Sequence, residues 1–125
     1  MLISTRQIDT LLRFLPQVEA ASSPAIWHQT NADGSLCMPY VEYPAWVVDL
    51  FATAGQDCWT DPDYTPAEAG GLVRDDAAIA VASLEAIKTM LTYCVRGERF
   101  SAGHWQAVLA DGRMSAILKR LRQLR

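Results

Sequence analysis

The chain has few cysteines and no pair of them at metal-ligand spacing. Cys37, Cys58 and Cys94 lie far apart with no C-x-x-C among them. An odd number of thiols behind a start, MLISTRQ, that has neither a basic leader nor a long apolar stretch points to a reducing, cytoplasmic setting. A zinc site is not expected, and no other metal or cofactor motif is present. Only two histidines occur, and His28 has no ligand partner at metal spacing. No apolar run approaches the roughly 18 residues that a membrane span requires. G-x-G-x-x-G, P-loop, nucleophile-elbow and H-E-x-x-H patterns are all missing, which removes the common nucleotide and protease readings. A basic RNA track is missing too, and the net charge of −3 disfavours binding to a polyanion.

Half of the 125 residues are hydrophobic, enough for one domain spanning 1–125 with a core of its own. The charge is uneven. Residues 1–95 hold 4 basic and 12 acidic side chains, and residues 96–125 hold 7 and 2, so the body carries −8 and the tail +5. The simplest account is a basic C-terminal helix laid beside an acidic body.

The stretch from Asp75 to Trp105 organises the rest. Ala80, Leu84, Ile87, Leu91 and Cys94 recur at steps of four and three, and Ile79, Val81, Met90 and Val95 widen the stripe, which predicts one long central helix over about 76–96. Asp75 or Asp76 would cap its start, and Gly97, left-handed, would stop it. A second helix would follow with Ser101 as N-cap, His104 at its third position, and Phe100 and Trp105 forming a hydrophobic staple.

Elsewhere, Ser4 and Gln7 form a capping box for a helix carrying Ile8, Leu11, Leu12 and Leu15, which Pro16 ends or bends. Most of QVEAASSPAIW, with Ser22, Ser23 and Pro24, reads as a connection. AIWHQT and SLCMPYVEY flank the turn residues NADG and predict a β-hairpin over about 25–42, with Pro39 marking an edge. Pro44 opens a helix with Trp46, Val47, Leu50, Phe51 and Ala54 inward and Gly55 past its end. Thr65, Pro66 and Glu68 start a short helical turn that Gly70 and Gly71 would break. A final helix puts Met114, Ile117, Leu118, Leu121 and Leu124 on one face, which could serve homodimerisation if left uncovered. The fold class is therefore α+β, mainly α, with about five helices around the long central one and a hairpin on one side.

The segment RGERFSAGHW concentrates the polar chemistry. Arg96, Glu98, Arg99, His104 and Trp105 are the candidate ligand-binding residues. Arginine holds phosphate or carboxylate through paired hydrogen bonds, Glu98 could orient it, and an imidazole near a helix start exchanges protons near neutral pH. Amides of Ala102, Gly103 and His104 would add an anion-binding helix end. The structural alternative is that the same groups tie the turn to its neighbours, since buried turns need such bonds in any protein. Arg99 and His104 also form R-x4-H, an arrangement similar to that of the HEPN class of helical ribonucleases, in which arginine would stabilise phosphate charge and histidine move the proton. The acidic loop with Asp57, Asp61 and Asp63 lacks the glycine and terminal glutamate of a calcium loop and reads as solvated.

LLRFLP, PYVEYPAWVVDLF and above all LTYCVRGERFSAGHW with a closing LKRL resemble an uncharacterised bacterial family of small domains of unknown function. The resemblance covers most of the chain. In that family's pattern a cysteine often stands where this chain has Ser101, which argues against an essential thiol there. The resemblance implies a single bacterial or phage domain and imports no activity or cofactor. Two functions follow as expectations. The preferred one is a non-enzymatic binding or interaction module, taking an unidentified protein or a small anionic ligand at the Arg/His cluster. The rival is a small enzyme acting on RNA or another phosphate-containing substrate through Arg99 and His104.

Overall fold

The computed structural model describes residues 3–21 and 23–125; the readings of Met1, Leu2 and Ser22 lie outside the described residues. Helices dominate, with one two-stranded antiparallel hairpin, so the chain is α+β and mainly α. The first helix, α1 (Thr5–Leu12), starts on a complete capping box: Ser4 accepts from the Gln7 amide and the Gln7 side chain accepts from the Ser4 amide. Pro16 bends the chain into a second helix, α2 (Leu15–Ala20), where a connection was expected; Leu15 and Val18 sink into the core and offset the short length.

The hairpin pairs β1 (Ile26–Thr30) with β2 (Leu36–Glu42), in the register Trp27 opposite Val41 and His28 opposite Tyr40. Gly34 takes φ 87° at the turn, a left-handed conformation natural to glycine. From Pro44, α3 (Ala45–Ala54) buries Val47, Leu50, Phe51 and Ala54, and a 3₁₀ turn at Asp57–Trp59 buries Trp59 completely. The acidic loop after it is docked on its neighbours. Asp61 accepts from the Thr89 hydroxyl at 2.7 Å, and its amide donates to Thr92 Oγ1 at 2.8 Å. Helix α4 (Pro66–Val73) runs through Gly70 and Gly71, which were expected to break it. The Tyr93 ring lies against Gly70, where a Cβ would stand 3.0 Å from the ring, so the glycine lets α4 approach its neighbour closely.

The long central helix is two helices. The segment α5 (Asp76–Ala80) ends, and α6 (Leu84–Arg96) begins after a break at residues 81–83. Asp75 caps α5 through the Ala77 and Ala78 amides, and Ser83 caps α6 through the Ala86 amide. The Ala82 carbonyl, freed by the break, accepts from Arg120 Nε at 2.9 Å. A cap on one side and a guanidinium on the other satisfy the backbone groups that a continuous helix would have paired internally. The expected stripe holds over α6, where Ile87, Met90, Leu91 and Cys94 are fully buried, and at Ile79 of α5, but it is interrupted between them, where Ala80 is exposed and Val81 is 76% exposed.

Helix α6 is the core's axis, with α3, α4, α7 (His104–Ala110) and α8 (Arg113–Leu124) packed on it. Met114, Ile117, Leu118 and Leu121 of α8 are fully buried within the single chain, so the face considered for homodimerisation is covered by α1, α2, α5, α6 and α7. The basic tail meets the acidic body through Arg113 with Asp76, Lys119 with Glu19 and Arg125 with Asp9. No helix among the described residues is long and apolar enough to cross a membrane.

Candidate functional site

The segment after α6 is a 3₁₀ turn, Gly97–Arg99, and then a bend into α7. Gly97 is right-handed, with φ −58°, so its role is not the left-handed stop expected of it. What requires glycine is space. A Cβ there would stand 2.3 Å from Cδ2 and Nε2 of His104, whose ring lies flat against the backbone. Neither Ser101 nor the Phe100 and Trp105 staple starts α7. The N-cap is Gly103 at φ 89°, a Cβ on which would meet the Trp27 ring of the hairpin at 2.7 Å, and Phe100 is 82% exposed.

Glu98 provides the cap. Its Oε2 accepts from the Gly103 amide at 2.9 Å, and its Oε1 accepts from the Trp105 amide at 2.9 Å and the Tyr43 hydroxyl at 2.8 Å. The Tyr43 oxygen accepts in turn from the Gln106 amide, and the His104 amide donates to the Ser101 carbonyl. The helix start proposed as an anion site is thus filled by the protein's own carboxylate. Burial and the bond to Glu98 push the Tyr43 phenol well above its ordinary range, so it remains a donor. Trp105 stacks on Phe51 with ring centres 4.5 Å apart, and its Nε1 donates to the Val95 carbonyl at 3.0 Å.

His104 is half-buried. Its Nε2 is covered and has no hydrogen-bond partner among the described residues. Burial lowers the pKa of the ring, against the opposing pull of Glu98 and a bond to the Tyr93 backbone, so imidazole stays neutral near pH 7. The ring is one wall of an apolar cavity of about 410 Å³ that Tyr64, Pro66, Tyr93, Gly97 and Phe100 complete.

The arginines face elsewhere. Arg96 and Arg99 line one recess of about 90 Å³ with Gly55, Thr60, Thr92 and Val95. Among the described residues neither guanidinium has an ion pair or a hydrogen bond. The Arg96 guanidinium carbon lies 5.1 Å from the centre of the Tyr64 ring, a cation–π contact that uses none of its N–H donors on an acceptor oxygen. Arg96 ends the last turn of α6, Arg99 follows it, and both line the recess beside Gly55 at the end of α3, where helix dipoles favour positive charge. Beside the recess lies a larger groove of about 490 Å³ along Val48, Phe51, Ala52, Glu98 and Trp105; Gly55, Val95 and Arg99 line both.

Four of the five expected residues therefore line two adjoining depressions, Glu98 and Trp105 the groove, Arg96 the recess and Arg99 both, and His104 lines neither. Arg99 and His104 of R-x4-H share neither depression. Val48, Ala52 and Gly55 were not marked as site residues from sequence. Their signal is weak: Val48 and Ala52 interrupt the polar side of α3 with small apolar groups. No cluster of three or more potential metal ligands occurs among the described residues.

The model of a family of unknown function (DUF6508) matches residues 3–125. No curated protein and no solved structure matches the chain.

Proposed function

This chain belongs to DUF6508, a family of unknown function, and we propose that it is a non-enzymatic binding module of the cytoplasm that captures an anionic group between Arg96 and Arg99. One observation carries the reading. Arg96 and Arg99, three residues apart, line a recess of about 90 Å³, and no carboxylate pairs with either guanidinium among the described residues. Arg113, Arg120 and Arg125 meet a carboxylate or a backbone carbonyl, and what sets Arg96 and Arg99 apart is that both are left unpaired around one recess. A guanidinium held against an aromatic ring is partly pre-organised, which lowers the entropy lost when it closes on an anion. Glu98 contributes by position: its charge is spent on the Gly103 and Trp105 amides and on Tyr43, which holds the turn that presents both arginines. The cytoplasmic placement is supported by three free thiols, two of them buried.

Inorganic phosphate is the probe. Titrated at constant ionic strength, it should give saturable amide shifts at Gly55, Thr60 and Arg99 in the wild-type spectrum and none in Arg96→Ala/Arg99→Ala. Shifts that are linear, or equal in the double variant, overturn the reading.

A further inference from the structure

Resting on the anion reading, we infer that the ligand is a small amphiphilic anion, a carboxylate or phosphate with an apolar tail or ring, lying along the groove with its head between Arg96 and Arg99. The recess holds one head group, since it is about 90 Å³ and lined by two cations. The adjoining groove is about 490 Å³, within the usual range for small-molecule sites of roughly 300–1,000 Å³. Its walls are mostly apolar, made by Val48, Ala52, Val95 and the Phe51–Trp105 stack, with Glu98 and Arg99 as the charged members. Val48 is 47% exposed on α3, an apolar side chain left to water where the polar side of an amphipathic helix should lie.

Charge fixes the direction of the ligand. Arg96 and Arg99 both line the recess, whereas in the groove Arg99 stands beside Glu98, so an anionic head is drawn to the recess and the apolar part is left to the groove. Gly55, Val95 and Arg99 line both spaces, so the groove lies directly beside the recess. A small recess lined by two cations beside a mostly apolar groove matches a single-headed amphiphile better than a polyanion.

Octanoate, acetate and inorganic phosphate, each at matched ionic strength and followed by amide shifts, test this directly. Octanoate should bind at least tenfold more tightly than acetate. Val48→Gln, an exposed change on a helix, should erase that ratio while leaving phosphate binding intact, and Arg96→Ala/Arg99→Ala should remove both. Equal affinity for octanoate and acetate overturns the amphiphile inference even if phosphate still binds. Octanoate binding that survives loss of both arginines also overturns it, as adsorption without head-group recognition. Loss of phosphate binding in the wild type instead falls on the anion reading beneath it.

Discussion

Gly97→Ala separates two effects of opposite sign. At φ −58° alanine is conformationally welcome, and replacing a glycine that has no special conformation ordinarily stabilises a protein by about 0.4–1 kcal/mol through the unfolded chain. Against this stands the contact: the new methyl would lie 2.3 Å from two atoms of the His104 ring and 2.5 Å from a third. The ring cannot swing away freely, because Tyr93 packs edge-on against it with centres 5.1 Å apart. Overpacking of this kind costs about 1–3 kcal/mol, so the net expectation is a loss of about 1–2 kcal/mol. For a domain of 125 residues that is a fall in Tm of about 4–8 °C, read by thermal unfolding of both proteins under one buffer. His104→Ala in the same chain makes room for the methyl, so the double variant should be more stable than the sum of the two single changes allows. A Gly97→Ala protein that melts above the wild type would refute the packing explanation and return Gly97 to an ordinary helix end.

Glu98→Gln replaces one acceptor oxygen with a donor facing amides that already donate, and should cost about 1–3 kcal/mol in a denaturant titration. Combined with Tyr43→Phe, the loss should be less than additive, because both changes break the same bonds; strict additivity would place the two residues in separate networks. His104 has a folded pKa below its ordinary value of 6.5, so its contribution to stability is present above that pH and lost as pH falls through the folded value. Tm should therefore drop as pH is lowered from 7.5 past 6.5, and His104→Gln should flatten that slope; an unchanged slope would contradict burial as the cause. Incubation with mixed RNA should leave it intact with wild type and His104→Ala alike. Cleavage confined to the wild type would restore the nuclease reading.

Local chemistry made part of this fold legible in advance. The Ser4–Gln7 capping box, the NADG turn with its left-handed Gly34, and Pro44 at the start of α3 each act within four residues, so sequence spacing exposes them. The break at residues 81–83 was hidden because apolar periodicity continues across it. It depends on Ser83 and on Arg120, 38 positions from the carbonyl it meets. The same holds at the site. RGERFSAGHW was visible as a polar cluster, but Glu98 acts through Tyr43, 55 residues upstream, and Gly103 is set by Trp27 of the hairpin. Those contacts rotate His104 away from the arginines, and no spacing within the motif encodes that rotation.

Phosphate affinity and Tm measured on one preparation of Arg99→Ala bear most directly on whether this surface is for binding or for holding the chain together. Arg99 is exposed and has no polar partner among the described residues, so Tm should stay within about 1 °C, as surface changes away from structural contacts usually do. Affinity should fall roughly tenfold or more, the worth of a charge-assisted hydrogen bond. Parallel loss of both, or an affinity that does not move, would contradict the assignment.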